Sequence, residues 1–205
     1  PLGTMAILAS ELEQECTHTG DSELKRKMHI INDQIARCKD ALSVLSASAG
    51  ADRAEAGHRM QVRHYLDEVI NTWKQQRPES DLQTDIDSQA PNADILAERT
   101  LTQALVNIMN NAADASPEHV ALNATWTTQQ LTIRIFDRGP GLSEEIVSQL
   151  GKAPVTTKRE GLGVGLYLAH ATISRIGGNL AISQRAGGGT ELCINLPLLT
   201  NETRG

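Results

Sequence analysis

Apolar positions along this chain follow two different periods, and the change of period divides it. Leu2, Met5, Ala9, Leu12 and Cys16 recur at spacings of three and four. After the turn Thr17 to Ser22, Leu24, Met28, Ile31, Ile35, Cys38, Leu42 and Leu45 keep a heptad seam. Gly20 suits the end of one helix, and Asp21 or Ser22 the cap of the next. The spacing predicts an antiparallel helical hairpin over residues 1–48. Two helices with one seam cannot bury it by themselves. Either two copies pack as a four-helix bundle, making a homodimer, or the seam packs on the following domain; the bundle is the more economical solution. Residues 49–60, rich in Ala, Ser and Gly with scattered charges, read as a linker.

From residue 61 to 199 helical and strand periods alternate. Val62, Leu66, Val69, Ile70 and Trp73 form one face of a helix over 61–76, and short strands are expected at 81–87 and 93–96. Leu101, Leu105, Ile108 and Ala112 form the stripe of a helix over 98–115, which Ser116-Pro117 closes. Strands at 119–126 and 131–137 flank the polar Thr127-Thr-Gln-Gln130. In the second, Leu131, Ile133 and Ile135 alternate with Thr132 and Arg134 and end at Asp137. A short helix (143–150) and a loop (151–160) precede a helix that opens near Gly163 and stops at Gly177-Gly178. Its stripe is Leu162, Leu166, Ala169, Ile173 and Ile176. Strands at 179–185 and 191–196 enclose the turn Ala186-Gly-Gly-Gly189, and residues 200–205 read as a frayed tail. The expected class is α+β: a helical hairpin followed by an α/β sandwich.

Composition narrows the partners. Among 205 residues 40% are hydrophobic but 2% aromatic, so aliphatic side chains must fill the core. A net charge of -6 argues against nucleic acid as a partner. No apolar run approaches the roughly 18 residues that span a bilayer, so no membrane contact is expected of this stretch. Cys16, Cys38 and Cys193 match no zinc spacing and are too few for a disulfide scaffold, which suits a reducing cytoplasm.

The candidate chemistry lies in Asp137-Arg-Gly-Pro-Gly-Leu142 and Gly161-Leu-Gly-Val-Gly-Leu166. Glycines permit close backbone approach and positive φ, and a helix N-terminus offers N–H groups to phosphate oxygens. A carboxylate at a strand end can accept from an exocyclic amine such as that of adenine. The second cluster alone reads equally as turn chemistry. It is no Walker loop, lacking Gly-Lys-Ser/Thr, and Leu166 stands where a dinucleotide fingerprint needs its third glycine.

Taken in order, these segments resemble the ATP-binding domain of sensor histidine kinases, in the superfamily that includes gyrase, MutL and the large heat-shock chaperone. Asn107-Ile-Met-Asn-Asn111-Ala-Ala-Asp114-Ala is similar to its N box, Asp137-x-Gly139-x-Gly141 to the G1 box, Gly161-x-Gly163-x-Gly165 to the G2 box, and Gly187-Gly-Gly-Thr190 to the last glycine box. The resemblance covers about residues 60–197 and implies a Bergerat-type sandwich that binds ATP with Mg²⁺. It implies a nucleotide site of Asn107, Asn111, Asp114, Asp137, Gly139, Gly141, Lys158, Gly161, Leu162, Gly163, Val164, Gly165, Leu166 and Thr190. Asn107 and Asn111, four apart, share a helical face, and an amide oxygen suits Mg²⁺, so Asn111 is the implied metal ligand. Asp137 is the implied adenine-reading carboxylate, Lys158 a lid cation for the phosphates, and Thr190 a hydroxyl supporting the adenine end. Asp114 either binds through water or faces solvent.

Hydrolytic branches of the superfamily carry Glu where Asn107 stands. Asn cannot take a proton, which favours phosphoryl transfer to a protein over hydrolysis. An ATPase of the hydrolytic branch and a non-catalytic nucleotide-binding adaptor are the rivals. The family's Phe-rich box is missing, since Phe136 is the single Phe. If Pro1-Leu2 are native rather than an expression remnant, they match the tail of the phospho-acceptor motif. The acceptor His is then expected upstream of Pro1, with no catalytic residue in the chain itself. Ile35-Ala-Arg-Cys38-Lys-Asp-Ala-Leu42 is similar to the cysteine box of redox-responsive kinases of the RegB/PrrB type. That likeness implies an inner-membrane anchor upstream, a response-regulator receiver domain as partner, and Cys38 as a redox control point.

Overall fold

A computed structural model describes Ile31 and residues 57–142 and 164–200. Apart from Ile31 the expected hairpin lies outside the described residues, as do most of the linker, the lid with its short helix and the tail from residue 201.

The described chain enters through β1 (His58–Gln61) and runs into α1 (Val62–Gln76). β2 (Leu82–Ile86) and β3 (Asp94–Ala97) lead to α2 (Arg99–Ala115). β4 (Val120–Trp126) and β5 (Gln130–Phe136) follow, then α3 (Val164–Arg175), β6 (Asn179–Gln184) and β7 (Thr190–Pro197). Five strands form one sheet in the order β2-β4-β5-β7-β6, and β1 and β3 pair as a separate antiparallel ribbon. In the larger sheet β2 runs parallel to β4, across a crossover that contains β3 and α2, and the other pairs are antiparallel.

Period two fixes the register. Ala124 faces Ile133, which faces Ile194, and Leu122 faces Ile135, which faces Leu192, so every apolar rung points to one side. That face is buried while Thr125 and Arg134 are exposed on the other. The helices cover the buried face, with α2 in contact with both α1 and α3. Leu101, Leu105, Ile108 and Ala112 are buried as the stripe predicts, and so are Ala169 and Ile173 of α3. Each fully buried Leu or Ile contributes about 1.5–3 kcal/mol through burial. Few as the aromatics are, Tyr65 and Trp73 are fully buried on α1.

Most boundaries differ from the sequence reading by a residue, and one differs by more. Residues 58–60, assigned there to the linker, belong to β1, whose register sets His58 against Ala97 and Gln61 against Asp94. A four-residue strand of mostly exposed polar side chains has no periodic signal; its partner strand, far along the chain, defines it. Gln61 ends it in extended conformation without a side-chain cap, and the Val62 N–H donates to Ala93 O instead (3.0 Å). The strand thus passes directly into a helix whose first N–H is held by a tertiary backbone bond.

Candidate functional site

The site is assembled around the end of β5. Asp137 follows the strand and is buried, with 3% of its surface exposed, which demands hydrogen bonds for its carboxylate. Oδ1 accepts from Gly139 N–H (2.8 Å) and from Thr190 N–H (3.1 Å). The Asp137 N–H in turn donates to Thr190 O (3.1 Å), which extends the β5–β7 ladder by one rung. One carboxylate oxygen is therefore taken by two backbone N–H groups. Thr190 meets Asp137 through its backbone, donating to the carboxylate and accepting from the Asp137 N–H.

Two glycines after Asp137 are required, one by space and one by its backbone angle. A Cβ on Gly139 would lie 2.7 Å from the Ala115 Cβ at the end of α2, so Gly139 lets the G1 turn close onto the Asn-bearing helix. Gly141 has φ +79° and packs near Gly189 O and Gln184. Gly165, in the first turn of α3, stands beside Asn111: a Cβ there would sit 3.8 Å from Asn111 Nδ2. The half-buried Leu166 packs against the core below. Val164 is the first residue of α3.

On α2 the polar residues divide. Asn107 and Asn111 are both half-buried, and Asn107 Oδ1 accepts from Gln103 Nε2 (2.8 Å). Asp114 is engaged by Arg77 from the end of α1, at 2.6 Å. Arg77 also reaches Asn110 Oδ1 at 3.3 Å. Asp114 thus joins α2 to α1, a role neither of the two sequence alternatives contained. Lys158, Gly161, Leu162, Gly163 and Cys38 lie outside the described residues.

Three residues at the site carried no signal in the sequence. Arg185 donates from Nη1 to Asp137 O (2.9 Å) and lies over the Phe136 ring, 5.1 Å from its centroid. Gln184 Nε2 donates to Leu142 O (2.6 Å). Arg77 is the third. Each acts on residues more than thirty positions away, beyond the reach of any local pattern. Among the described residues no group of three or more His, Cys, Asp or Glu side chains is placed to hold a metal. A divalent ion here would rest on an amide oxygen such as that of Asn111 and on oxygens of its ligand.

This geometry has known relatives. A family model described as histidine kinase-, DNA gyrase B- and HSP90-like ATPase matches residues 97–200, and the chain belongs to that family. The sensor histidine kinase RegB of Cereibacter sphaeroides is 26% identical over 204 residues, covering 91% of this chain and 42% of its own. The sensor protein FixL of Bradyrhizobium diazoefficiens is 32% identical over 114 residues, 52% of this chain and 23% of its own. The chain thus spans less than half of each of these relatives. Among solved structures, the Acinetobacter baumannii histidine kinase AdeS aligns with a TM-score of 0.65 at 17% identity, covering 95% of this chain and 96% of its own. The catalytic domain of histidine kinase ThkA aligns with a TM-score of 0.58 at 21% identity over 69% of this chain. At such identities these two structures speak for the fold. Among the described residues no helix is long and apolar enough to cross a membrane.

Proposed function

We propose that this chain is the dimerising and ATP-binding part of a sensor histidine kinase: it binds Mg-ATP and passes the γ-phosphoryl group to a protein histidine. From there the phosphoryl group goes to an Asp of a response-regulator receiver domain. The observation that carries this reading is the buried Asp137 carboxylate, with one oxygen held by two backbone N–H groups. A fixed acceptor at a strand end, walled by glycines, suits the exocyclic amine of adenine. Asn111 beside Gly165 supports a Mg²⁺ and phosphate end next to the first turn of α3, where N–H groups favour anions. Asn107 has no proton-accepting carboxylate, so the site favours transfer over hydrolysis. Catalysis then consists of positioning and charge stabilisation.

In this reading Lys158 and residues 161–163 belong to the ATP-binding site, Lys158 as a cation for the phosphates, residues 1–48 dimerise, and Cys38 is the redox control point in the seam. A covalent link between two copies of Cys38 requires Cα atoms within about 7 Å. Non-reducing electrophoresis of wild type and Cys38→Ala under oxidant checks it; crosslinks that persist in the variant would exclude Cys38.

Two measurements test the central reading. Asp137→Asn should weaken Mg-ATP binding by roughly 1–3 kcal/mol, the scale for mispairing a buried polar group, and erode the preference for ATP over GTP. Unchanged calorimetric affinity would reduce Asp137 to a turn residue. The protein in its full natural length, incubated with γ-labelled ATP, should acquire an acid-labile label that a receiver domain removes. Steady phosphate release with no label on protein would favour the hydrolytic branch instead.

A further inference from the structure

The segment from Asp137 to Leu142 holds Gly139, Pro140 and Gly141 in six residues; Pro140 fixes its own φ, but the glycines on either side of it are permissive. It is nonetheless held at both ends, by two adjacent residues where β6 passes into the glycine turn. At its start Arg185 Nη1 donates to the Asp137 carbonyl at 2.9 Å, with the guanidinium over the Phe136 ring at 5.1 Å. At its end Gln184 Nε2 donates to the Leu142 carbonyl at 2.6 Å. The glycine turn is itself closed: Arg185 N–H donates to Gly189 O and Gly188 N–H to Arg185 O, each at 3.1 Å. Gly187, Gly188 and Gly189 have φ of +92°, +100° and +93°, a sequence of conformations that side chains disfavour.

We infer that Arg185 and Gln184 are positioning residues for the nucleotide base, Arg185 fixing the direction of the Asp137 carboxylate and Gln184 fixing the far end of the segment. The inference rests on the reading of Asp137 as the adenine acceptor. A hydrogen bond to the carbonyl of Asp137 sets the plane of the peptide that follows it. The ring contact with Phe136 holds the residue before it. The backbone on both sides of Asp137 is then fixed before a ligand arrives, so binding does not have to order a glycine-rich loop. Arg suits this double task because its planar cation stacks on a ring while an edge N–H donates. Gln184 is neutral and its side chain donates to the Leu142 carbonyl rather than to Asp137, so it acts on the order of the loop. The two residues therefore have different signatures: Arg185 governs which base is accepted, and Gln184 how tightly any nucleotide is held.

The test is calorimetric titration of the 205-residue chain and its variants with Mg-ATP and Mg-GTP, alongside melting temperature. Arg185→Ala should lower ATP affinity about tenfold, the loss of one charge-assisted hydrogen bond, and lower GTP affinity much less, so that selectivity narrows. Arg185→Lys, which keeps the charge and one donor, should fall between Ala and wild type. Gln184→Ala should weaken both nucleotides by a similar factor of about three, without changing their ratio. If Arg185→Ala does not fold, Phe136→Leu and Arg185→Lys decide, each expected to narrow selectivity. Variants that melt earlier but keep the wild-type ATP-to-GTP ratio would overturn the inference and leave the adenine reading intact. A wild type that binds both nucleotides without preference would overturn the adenine reading itself, and this inference with it.

Discussion

Gly189 has φ +93°, and its Cα lies against the backbone of Asp137, so a methyl group there would overlap the Asp137 carbonyl and lie 2.8 Å from the Arg138 Cα. Neither neighbour is a flexible side-chain end that can move aside. Gly187 has a similar φ of +92° but nothing within 4 Å of a Cβ. The pair separates two costs. Gly187→Ala should lose about 1–2 kcal/mol of stability from the left-handed backbone alone and keep nucleotide affinity. Gly189→Ala adds the displacement of Asp137, so it should lose about 1–3 kcal/mol more and forfeit nucleotide binding. Denaturant unfolding together with calorimetry checks both, and equal effects of the two substitutions would show that the contact with Asp137 is unimportant.

Among the elements α2 carries the most, because Asn107 and Asn111 lie on it and ion pairs hold both of its ends. At the N-terminus Glu98, 7% exposed, receives Arg175 from the last turn of α3 and the Thr100 hydroxyl at 3.1 Å. At the C-terminus Arg77 of the α1 boundary holds Asp114. Burial decides their worth. Arg175→Ala leaves a buried carboxylate with a single hydroxyl, at a cost of about 1–3 kcal/mol. Glu98→Gln should cost less, since the half-exposed Arg175 can be solvated. Arg77 and Asp114 have side chains 36% and 30% exposed, so Arg77→Ala should cost below about 1 kcal/mol through the ion pair. Chemical unfolding of the three variants checks this order. A larger loss for Arg77→Ala than for Arg175→Ala would mean that burial is not what ranks these contacts.

At the scale of the whole molecule, Tyr65 ties stability to pH. Burial pushes the Tyr65 hydroxyl well above its ordinary value, against a smaller opposing effect of the hydrogen bond from Thr102. A raised folded-state pKa means that the contribution is fully present below the unfolded value of about 10. Above it the unfolded chain loses the proton while the folded chain keeps it, so stability falls with rising pH. Tyr65→Phe should therefore flatten the decline between about pH 10 and 11, measured as the denaturation midpoint relative to pH 8. An identical decline in both proteins would assign it to other groups.

Much of the described fold follows from the amino-acid sequence because the periods of apolar residues are set by local geometry. Leu131, Ile133 and Ile135 can share one face of a strand and no face of a helix, while Leu101, Leu105, Ile108 and Ala112 do the reverse. The glycine boxes were named by resemblance, and positive φ at Gly141 and Gly189, with close approach at Gly189, leaves few alternatives to glycine at those two positions. What the sequence could not decide were pairings between distant residues, whose energy depends on the fold that brings them together. β1 exists because Asp94–Ala97 lies beside it, and Asp114 is an ion-pair partner because α1 ends at Arg77. Glu98 is buried because Arg175, seventy-seven positions later, meets it. Asp137 could be named from its place at a strand end. That one of its oxygens is held by Gly139 and Thr190, and its carbonyl by Arg185, was decided only when β5, β6 and β7 came together, since hydrogen bonds act over about 3 Å of space regardless of separation along the chain.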